Sequence, residues 1–463
     1  MKAVVQIAVL CCLLYGCSEP GEDRVRADFL FENVNVVPMD EEVILRQQAV
    51  AVRDGEIIAV VDSAQADRFN AAMRIKGEGR YLMPGLSDRH VHIRWDPQTM
   101  FKLFLANGVT TVFNMGLADG GDAVDHVQLR ADIASGAITG PRYFISGPQL
   151  NGEVLPNVDA VAPMLDRHLS APYDLVKVHG DLSADVYEAL IAGARERNLP
   201  IAGHMQHAMP LEKSLQMDAI EHAEEFLYTA PDDFFSDVTD MDSFLDAYRA
   251  NAQRLADPAH RAAIVQAVAE SGVYLDVTMV VYANIPVWAD DERLAALGND
   301  ELMRYLPQSV KDRWLSADSN PYQAEDFPIT AEEVEDNIGT LFLLVNELHE
   351  AGVPLLSGAD AFGTLVPGFS LHQELQRMSR AGLSPFEALQ TSTVNLAAYL
   401  GDSNTAGKIR PGYRADFILL DKNPLTDIAN TQSVSGVFTQ GRWYSREDIQ
   451  AFLSTAISNS SSE

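Results

Sequence analysis

The chain has 463 residues and a formal net charge of −32, with 66 Asp and Glu against 34 Lys and Arg. That length accommodates a large single-core fold plus a smaller domain, and the 47% hydrophobic content is ordinary for a globular protein. An acidic excess of this size argues against nucleic acid or an anionic lipid surface as a partner.

Residues 1–17 read as a targeting segment. Met1-Lys2 is a short basic start, and the apolar run 3–14 is too short to span a membrane as a mature helix. The run ends in Leu14-Tyr15-Gly16-Cys17, which resembles a bacterial lipoprotein signal with Cys17 as the lipidated residue, followed by a polar tether over 18–27. The expectation is an exported lipoprotein facing the periplasm, anchored in the outer membrane and touching lipid only through its anchor; an ordinary secretory signal is the alternative. All three cysteines (Cys11, Cys12, Cys17) fall in this segment, so the mature domain is expected to hold no disulfide and no thiolate ligand.

Residues 29–37 predict a strand, and 49–60 a hairpin turning at Asp54-Gly55. Near the other end, 415–420 predicts a strand and 434–444 a hairpin turning at Gln440-Gly441. Isolated hairpins are marginal, so 28–83 and 408–446 are expected to pair into a composite β-sandwich. Between them, 84–407 alternates short apolar strands with longer amphipathic segments. The strands fall at 86–92, 109–114, 142–146, 175–179, 200–204, 219–222, 273–278 and 353–360, with helices such as 184–197, 261–271 and 331–351. This predicts an α/β fold, a (β/α)8 TIM barrel; the competing doubly wound sheet would need a phosphate-binding glycine fingerprint that is not evident here. Residues 226–331 exceed one crossover and read as loops over the barrel mouth, a lid. The Ser-rich stretch 454–463 reads as a disordered tail.

The chemistry concentrates at strand ends, where barrel enzymes carry their active sites. On a strand His90 and His92 project to one face, and two neutral imidazoles there can bind one divalent metal. His204, His222 and Asp360 close three further predicted strands. Lys177 stands inside an apolar strand, where a lysine needs a partner. Carboxylation of its neutral amine gives a carbamate, whose two oxygens can bridge two cations.

The ordered set Pro84-Gly85-Leu86 with Asp88-x-His90-x-His92, then Gly108-Val109-Thr110-Thr111, Val176-Lys177-Val178, Gly203-His204, Glu221-His222 and Asp360, closing with Gly412-Tyr413-Arg414-Ala415-Asp416-Phe417, resembles the metal-dependent amidohydrolase superfamily. The form resembled is the two-metal one with a carboxylated lysine, nearest to imidazolonepropionase-like and prolidase-like members. In place of that family's Gly-Thr-Asp before the last ligand stands Gly358-Ala359-Asp360. The resemblance implies two divalent ions, zinc by default with Mn, Co or Fe compatible. His90, His92 and Asp360 would hold one ion, His204 and His222 the other, and N6-carboxylated Lys177 would bridge them. It further implies hydrolysis of an amide C–N bond in a small molecule, a dipeptide, an acylated amino acid or a cyclic amide. A metal-bridging hydroxide would attack, with Asp360 as proton shuttle.

Period-2 spacing places His179 on the face of Lys177, toward the mouth. His207, Tyr228 and Tyr282, just past the fifth, sixth and seventh strands, are further candidates for substrate contact. Arg94 could take a substrate carboxylate, whereas Arg142 is expected to pair at the surface. His126, His168, His260 and His349 fall on helical stretches and read as solvated. The alternatives are a lactone or phosphotriester hydrolase on the same site, a one-metal deaminase, and a ligand-binding lipoprotein without catalysis. Oligomeric state is left open, with a homo-oligomer compatible.

Overall fold

The computed structural model describes residues 24–116, 124–232, 234–235, 238, 240–324 and 327–460. Cys17 and the whole targeting segment lie outside the described residues, as does most of the tether. Among the described residues, no helix is long and apolar enough to cross a membrane.

The chain begins with β1 (Val25–Val36), β2 (Leu45–Arg53), β3 (Glu56–Asp62), β4 (Phe69–Lys76) and β5 (Tyr81–Pro84). The hairpin β2–β3 turns at Asp54 and Gly55, both at positive φ (52° and 78°), which is the two-residue turn that matches strand twist. The barrel strands follow: β6 (Leu86–Val91), β7 (Val109–Asn114), β8 (Arg142–Ile145), β9 (Val176–Val178), β10 (Ile201–Gly203), β11 (Ala219–Glu221), β12 (Tyr274–Asp276) and β13 (Leu355–Leu356). The chain closes with β14 (Phe417–Leu420), β15 (Val434–Thr439), β16 (Arg442–Tyr444) and a helix, Arg446–Ser460.

The two ends of the chain meet in one eight-stranded sheet, ordered β16-β15-β14-β5-β1-β2-β3. One edge of β1 is shared, β4 running along its first part and β5 along its last two residues, both parallel. The sheet's core is aromatic: Phe31 meets Phe417 edge-on with ring centroids 4.9 Å apart, and Phe417 stacks on Phe438 at 5.1 Å. The strand β4 had no counterpart among the expected elements, because its residues are mostly half-buried or exposed and lack clean alternation.

The eight inner strands are all parallel and follow chain order, β6-β7-β8 and β9-β10-β11-β12-β13. Bridges at Ser146–Leu175 and Leu150–Val178 join the two groups. Hydrogen bonds Arg89 N to Ser357 O (2.9 Å) and Asp360 N to His90 O (2.7 Å) link the first strand to the eighth. This is the strand order of a (β/α)8 barrel with an added domain. Every residue of β6 and β7 is buried, as expected for parallel strands covered on both faces. The end sheet is fastened to the barrel at the β5–β6 junction, where Gly85 N donates to Asp416 O and Arg142 pairs with Asp416 at 2.6 Å.

Two expectations are corrected. Residues 454–460 are not a disordered tail but the last turns of the helix Arg446–Ser460. Its serines sit among Phe452, Leu453, Ala456 and Ile457, and the apolar stripe packs on the barrel. Asn459 donates to Thr99 Oγ1 at 2.7 Å, and Ser460 to the Tyr305 carbonyl at 2.8 Å. His168 is not solvated but fully buried, with Nδ1 on the Met164 carbonyl and its ring against Gly147.

The long segment after β12 builds a wall rather than a loose loop. Trp288 is buried, its ring 5.3 Å from each of Trp314, Tyr322 and Phe362. Its indole donates to Thr364 Oγ1 at 2.7 Å. The segment is thereby packed on the loop that follows β13, beside the strand ends.

Candidate metal centre

Five imidazoles run in an unbroken file across the C-terminal ends of the barrel strands. In order they are His92, His90, His222, His204 and His179, with neighbouring ring centroids 5.2, 4.8, 4.6 and 4.7 Å apart. They come from β6, β9, β10 and β11, strands far apart in sequence that the parallel order brings to one rim. Three of them are oriented through Nδ1. His92 Nδ1 meets the Gly116 carbonyl at 2.5 Å, His222 Nδ1 the Thr278 hydroxyl at 2.7 Å, and His204 Nδ1 the Glu225 carboxylate at 3.0 Å. A carbonyl and a carboxylate accept only, so His92 and His204 carry the proton on Nδ1 and keep the Nε2 lone pair free, the arrangement of metal-binding histidines. Burial pushes His90 and His222 well below the usual histidine range, lowers His204, and takes His179 to about 3. Neutral imidazole is the ligand form.

Asp360 closes the file. Its Oδ1 lies 3.2 Å from His92 Nε2 and 3.8 Å from His90 Nε2. Burial alone would raise its pKa; His92, His222 and Arg94 outweigh it and hold the carboxylate ionised. The donor atoms of His90, His92 and Asp360 form one metal-compatible group, and those of His90, Glu221 and His222 form a second. The residues therefore fit a divalent cation: buried, neutral nitrogen donors beside a carboxylate, with His90 Nδ1 and Asp360 Oδ1 lacking any hydrogen-bond partner. Three residues here adopt left-handed backbone, His222 (φ 68°), Thr278 (φ 46°) and Asp360 (φ 39°), each just past its strand. Such strain persists only where packing over-determines it.

Beneath the file lies Lys177, with no exposed surface. Burial brings its pKa down to about 7. Its ammonium nitrogen contacts the Glu221 carboxylate. Glu221 is in turn 3.7 Å from Arg89, whose buried guanidinium lies between the rings of Phe113 (4.7 Å) and Tyr399 (4.9 Å). Asp276 of β12 is equally buried, has no hydrogen-bond partner on either oxygen, and is pushed up to about 7 by burial. Gly358 leaves room for it, since a Cβ there would stand 2.5 Å from Asp276 and 2.6 Å from His90. Asp88, two residues before His90, ties the first barrel strand to the last by accepting from Ala359 N at 2.9 Å.

Glu221, Arg89 and Asp276 escaped the sequence reading. The signal was the one that exposed Lys177: a charged residue inside an apolar strand run, as in Tyr274-Leu275-Asp276-Val277. The remaining candidates divide. His179, Tyr228 and Tyr282 line the cavity over the file, about 610 Å3 in volume, as does Arg94. His207 does not line it; its Nε2 pairs with Glu225 at 2.6 Å, behind His204. Glu225 and Asp181 outweigh burial and raise His207 to about 9, so it is a cation clamping the carboxylate that orients His204. Arg142 pairs with Asp416, away from the centre.

An adenine deaminase of Lysinibacillus sphaericus is 21% identical over 421 residues, covering 87% of this chain and 56% of the deaminase. Ochratoxinase of Aspergillus niger is 37% identical over 90 residues, 19% of this chain and 18% of that enzyme. This chain thus spans about half of the first relative's length and under a fifth of the second's. Among solved structures, bottromycin amidohydrolase superposes with a TM-score of 0.71 at 21% identity, covering 93% of this chain and 90% of that one. Residues 81–444, from the strand entering the barrel to the last strand of the end sheet, match the model of the amidohydrolase family, and the chain belongs to that family.

Proposed function

We propose that this protein is a metal-dependent hydrolase that cleaves an amide C–N bond in a small molecule. The observation that carries the reading is the file of neutral imidazoles ending on an ionised Asp360 in one cavity. His90, His92 and Asp360 would hold one divalent ion and His204 and His222 a second, with Lys177, carboxylated on Nζ, between them. When bound, the ions would supply the Lewis acid that activates water and polarises a carbonyl. Asp360 would take the proton of the attacking water on Oδ1 and return it to the leaving nitrogen. Thr278, Glu225 and the Gly116 carbonyl hold three of the rings in register, and Glu225 is itself fixed by His207. The lowered pKa of Lys177 supports carboxylation, because the neutral amine is the form that reacts with carbon dioxide.

One observation favours a second reading. The contact between Lys177 and Glu221 suits an ammonium that stays protonated, leaving a single-ion centre on His90, His92, His222 and Asp360 of the kind a deaminase could use. Metal content of the wild type and Lys177→Ala, with the intact mass of the native chain, separates the two. About two zinc ions per chain, falling to one or fewer in the variant, with a carboxylate adduct on the wild type, supports the first reading. One ion in both proteins and no adduct supports the second.

Export on a lipidated Cys17 belongs to the same proposal and rests on the sequence of residues 1–17. Cys17→Ala is expected to move the protein from the membrane to the soluble fraction; unchanged fractionation would remove the anchor.

A further inference from the structure

A second cleft, of about 530 Å3, adjoins the imidazole cavity, and Arg94 and Phe362 line both. Arg94 follows His92 by two residues and Phe362 follows Asp360 by two, so the strand ends that carry the ligand-type residues also set the junction. The walls of the second cleft are aromatic and aliphatic, with Trp95, Trp314 and Val310, and a second guanidinium, Arg313, stands in it. The wall is closely packed: Gly363 adopts φ 61°, a backbone that favours glycine, and a Cβ there would press on the rings of both Trp288 and Trp314 at 3.1 Å.

Among the described residues neither Arg94 nor Arg313 forms a direct ion pair, although Arg94 and Asp360 act on each other's charge from a distance. Arg94 instead lies over the Phe362 ring, 5.9 Å from its centroid. In a chain with 66 acidic residues against 34 Lys and Arg, two guanidinium groups without a direct ion pair in one concavity create a local positive field inside a negative molecule. Guanidinium on an aromatic wall suits a carboxylate carried by an apolar body.

We propose that this cleft selects the amine side of the substrate: an N-acyl amino acid or dipeptide whose leaving residue carries a free α-carboxylate and a large apolar side chain. Arg94 takes the carboxylate, Trp95, Trp314 and Phe362 cover the side chain, and Arg313 adds a second positive charge farther along. This rests on the amide-cleaving reading of the adjoining centre.

The test uses the zinc-loaded full chain and Arg94→Met, with Arg94→Lys as the conservative variant. Hydrolysis of N-acetyl-L-phenylalanine is compared with that of N-acetylphenethylamine, which lacks the carboxylate. Hydrocinnamate and hydrocinnamyl alcohol are titrated by calorimetry, a binding readout that needs no turnover. The wild type is expected to prefer the acid by roughly 10- to 100-fold in kcat/KM. Arg94→Met should erase that preference through KM, and Arg94→Lys should restore part of it. Hydrocinnamate affinity should fall by a similar factor in Arg94→Met while the alcohol is unaffected. Equal cleavage of both amides by the wild type, or unchanged hydrocinnamate affinity in Arg94→Met, overturns the proposal. If neither amide is cleaved but hydrocinnamate binding still depends on Arg94, the anion subsite stands and the amide-hydrolase reading is what fails.

Discussion

Single residues under the imidazole file carry charge in a place where charge is costly. Arg89 is 1% exposed and Glu221 wholly buried, and their attraction acts in a low-dielectric interior where it must offset the desolvation of both. Arg89 has help from the Met115 sulfur and the Tyr399 hydroxyl, at 3.0 and 3.2 Å. Arg89→Met would leave Glu221 facing Lys177 alone and is expected to destabilise the fold by about 3–5 kcal/mol. Combining it with Glu221→Gln should recover part of that loss, because neighbours in one network are not additive; denaturant unfolding of both variants reads this directly. A second buried residue sets an acid limit. His372, with Nδ1 on Thr431 Oγ1 at 2.9 Å, is held down to about 4 by burial. Its unfolded value is about 6.5, so above that pH both states are neutral and nothing is lost. Below it only the unfolded chain binds the proton, and stability falls as pH drops from about 6.5 toward 4, by the order of 3 kcal/mol. A variant His372→Asn should show a shallower loss over that window in thermal melts.

At the scale of elements, the C-terminal helix Arg446–Ser460 shows how a serine-rich sequence becomes structure. Exposed helix interiors gain little from serine, so the segment has no strong helical signal by itself. What holds it is the stripe from Ile449 to Ala456 packed on the helix Pro97–Ala106 and on the turn Glu301–Tyr305. Truncation after Ser445 would uncover Leu103 and Tyr305, which are now 0% and 3% exposed. Loss of that apolar contact is expected to lower the melting temperature by a few degrees, since about 1 kcal/mol moves a chain of this size by roughly 1 °C. The helix packs with Trp95, Leu306 and Val310 but touches none of the ligand-type histidines or Asp360, so metal content should be unchanged; a truncated protein with the wild-type melting temperature would show that the helix adds nothing.

The whole molecule is governed by its charge and its topology. A net charge of −32 repels itself in the compact state, while Arg94 and Arg313 line one cleft without a direct ion pair among the described residues. Raising salt from low ionic strength to physiological should therefore raise the melting temperature by screening repulsion, and should at the same time weaken binding of carboxylate ligands to the mouth. Thermal melts and hydrocinnamate titrations at two salt concentrations check both signs.

Much of this architecture is legible in the sequence because it is written in local chemistry. Apolar strand runs, the Asp54-Gly55 and Gln440-Gly441 turns, and His-x-His on one face each follow from the periodicity or φ preference of a few adjacent residues. The eight barrel strands accordingly sit within a few residues of where the sequence predicts them. The shared edge of β1, the docking of the last helix and the burial of His168 were decided only by tertiary packing, because each depends on surfaces supplied by residues distant in the chain. The same holds at the centre. The sequence identified which imidazoles stand at strand ends and which lysine lies inside a strand, but the Glu221–Lys177 contact, the Arg89 cation beneath it and the cleft joining at Arg94 arise from side chains converging across the parallel strands, and convergence in space has no periodic signature in the chain.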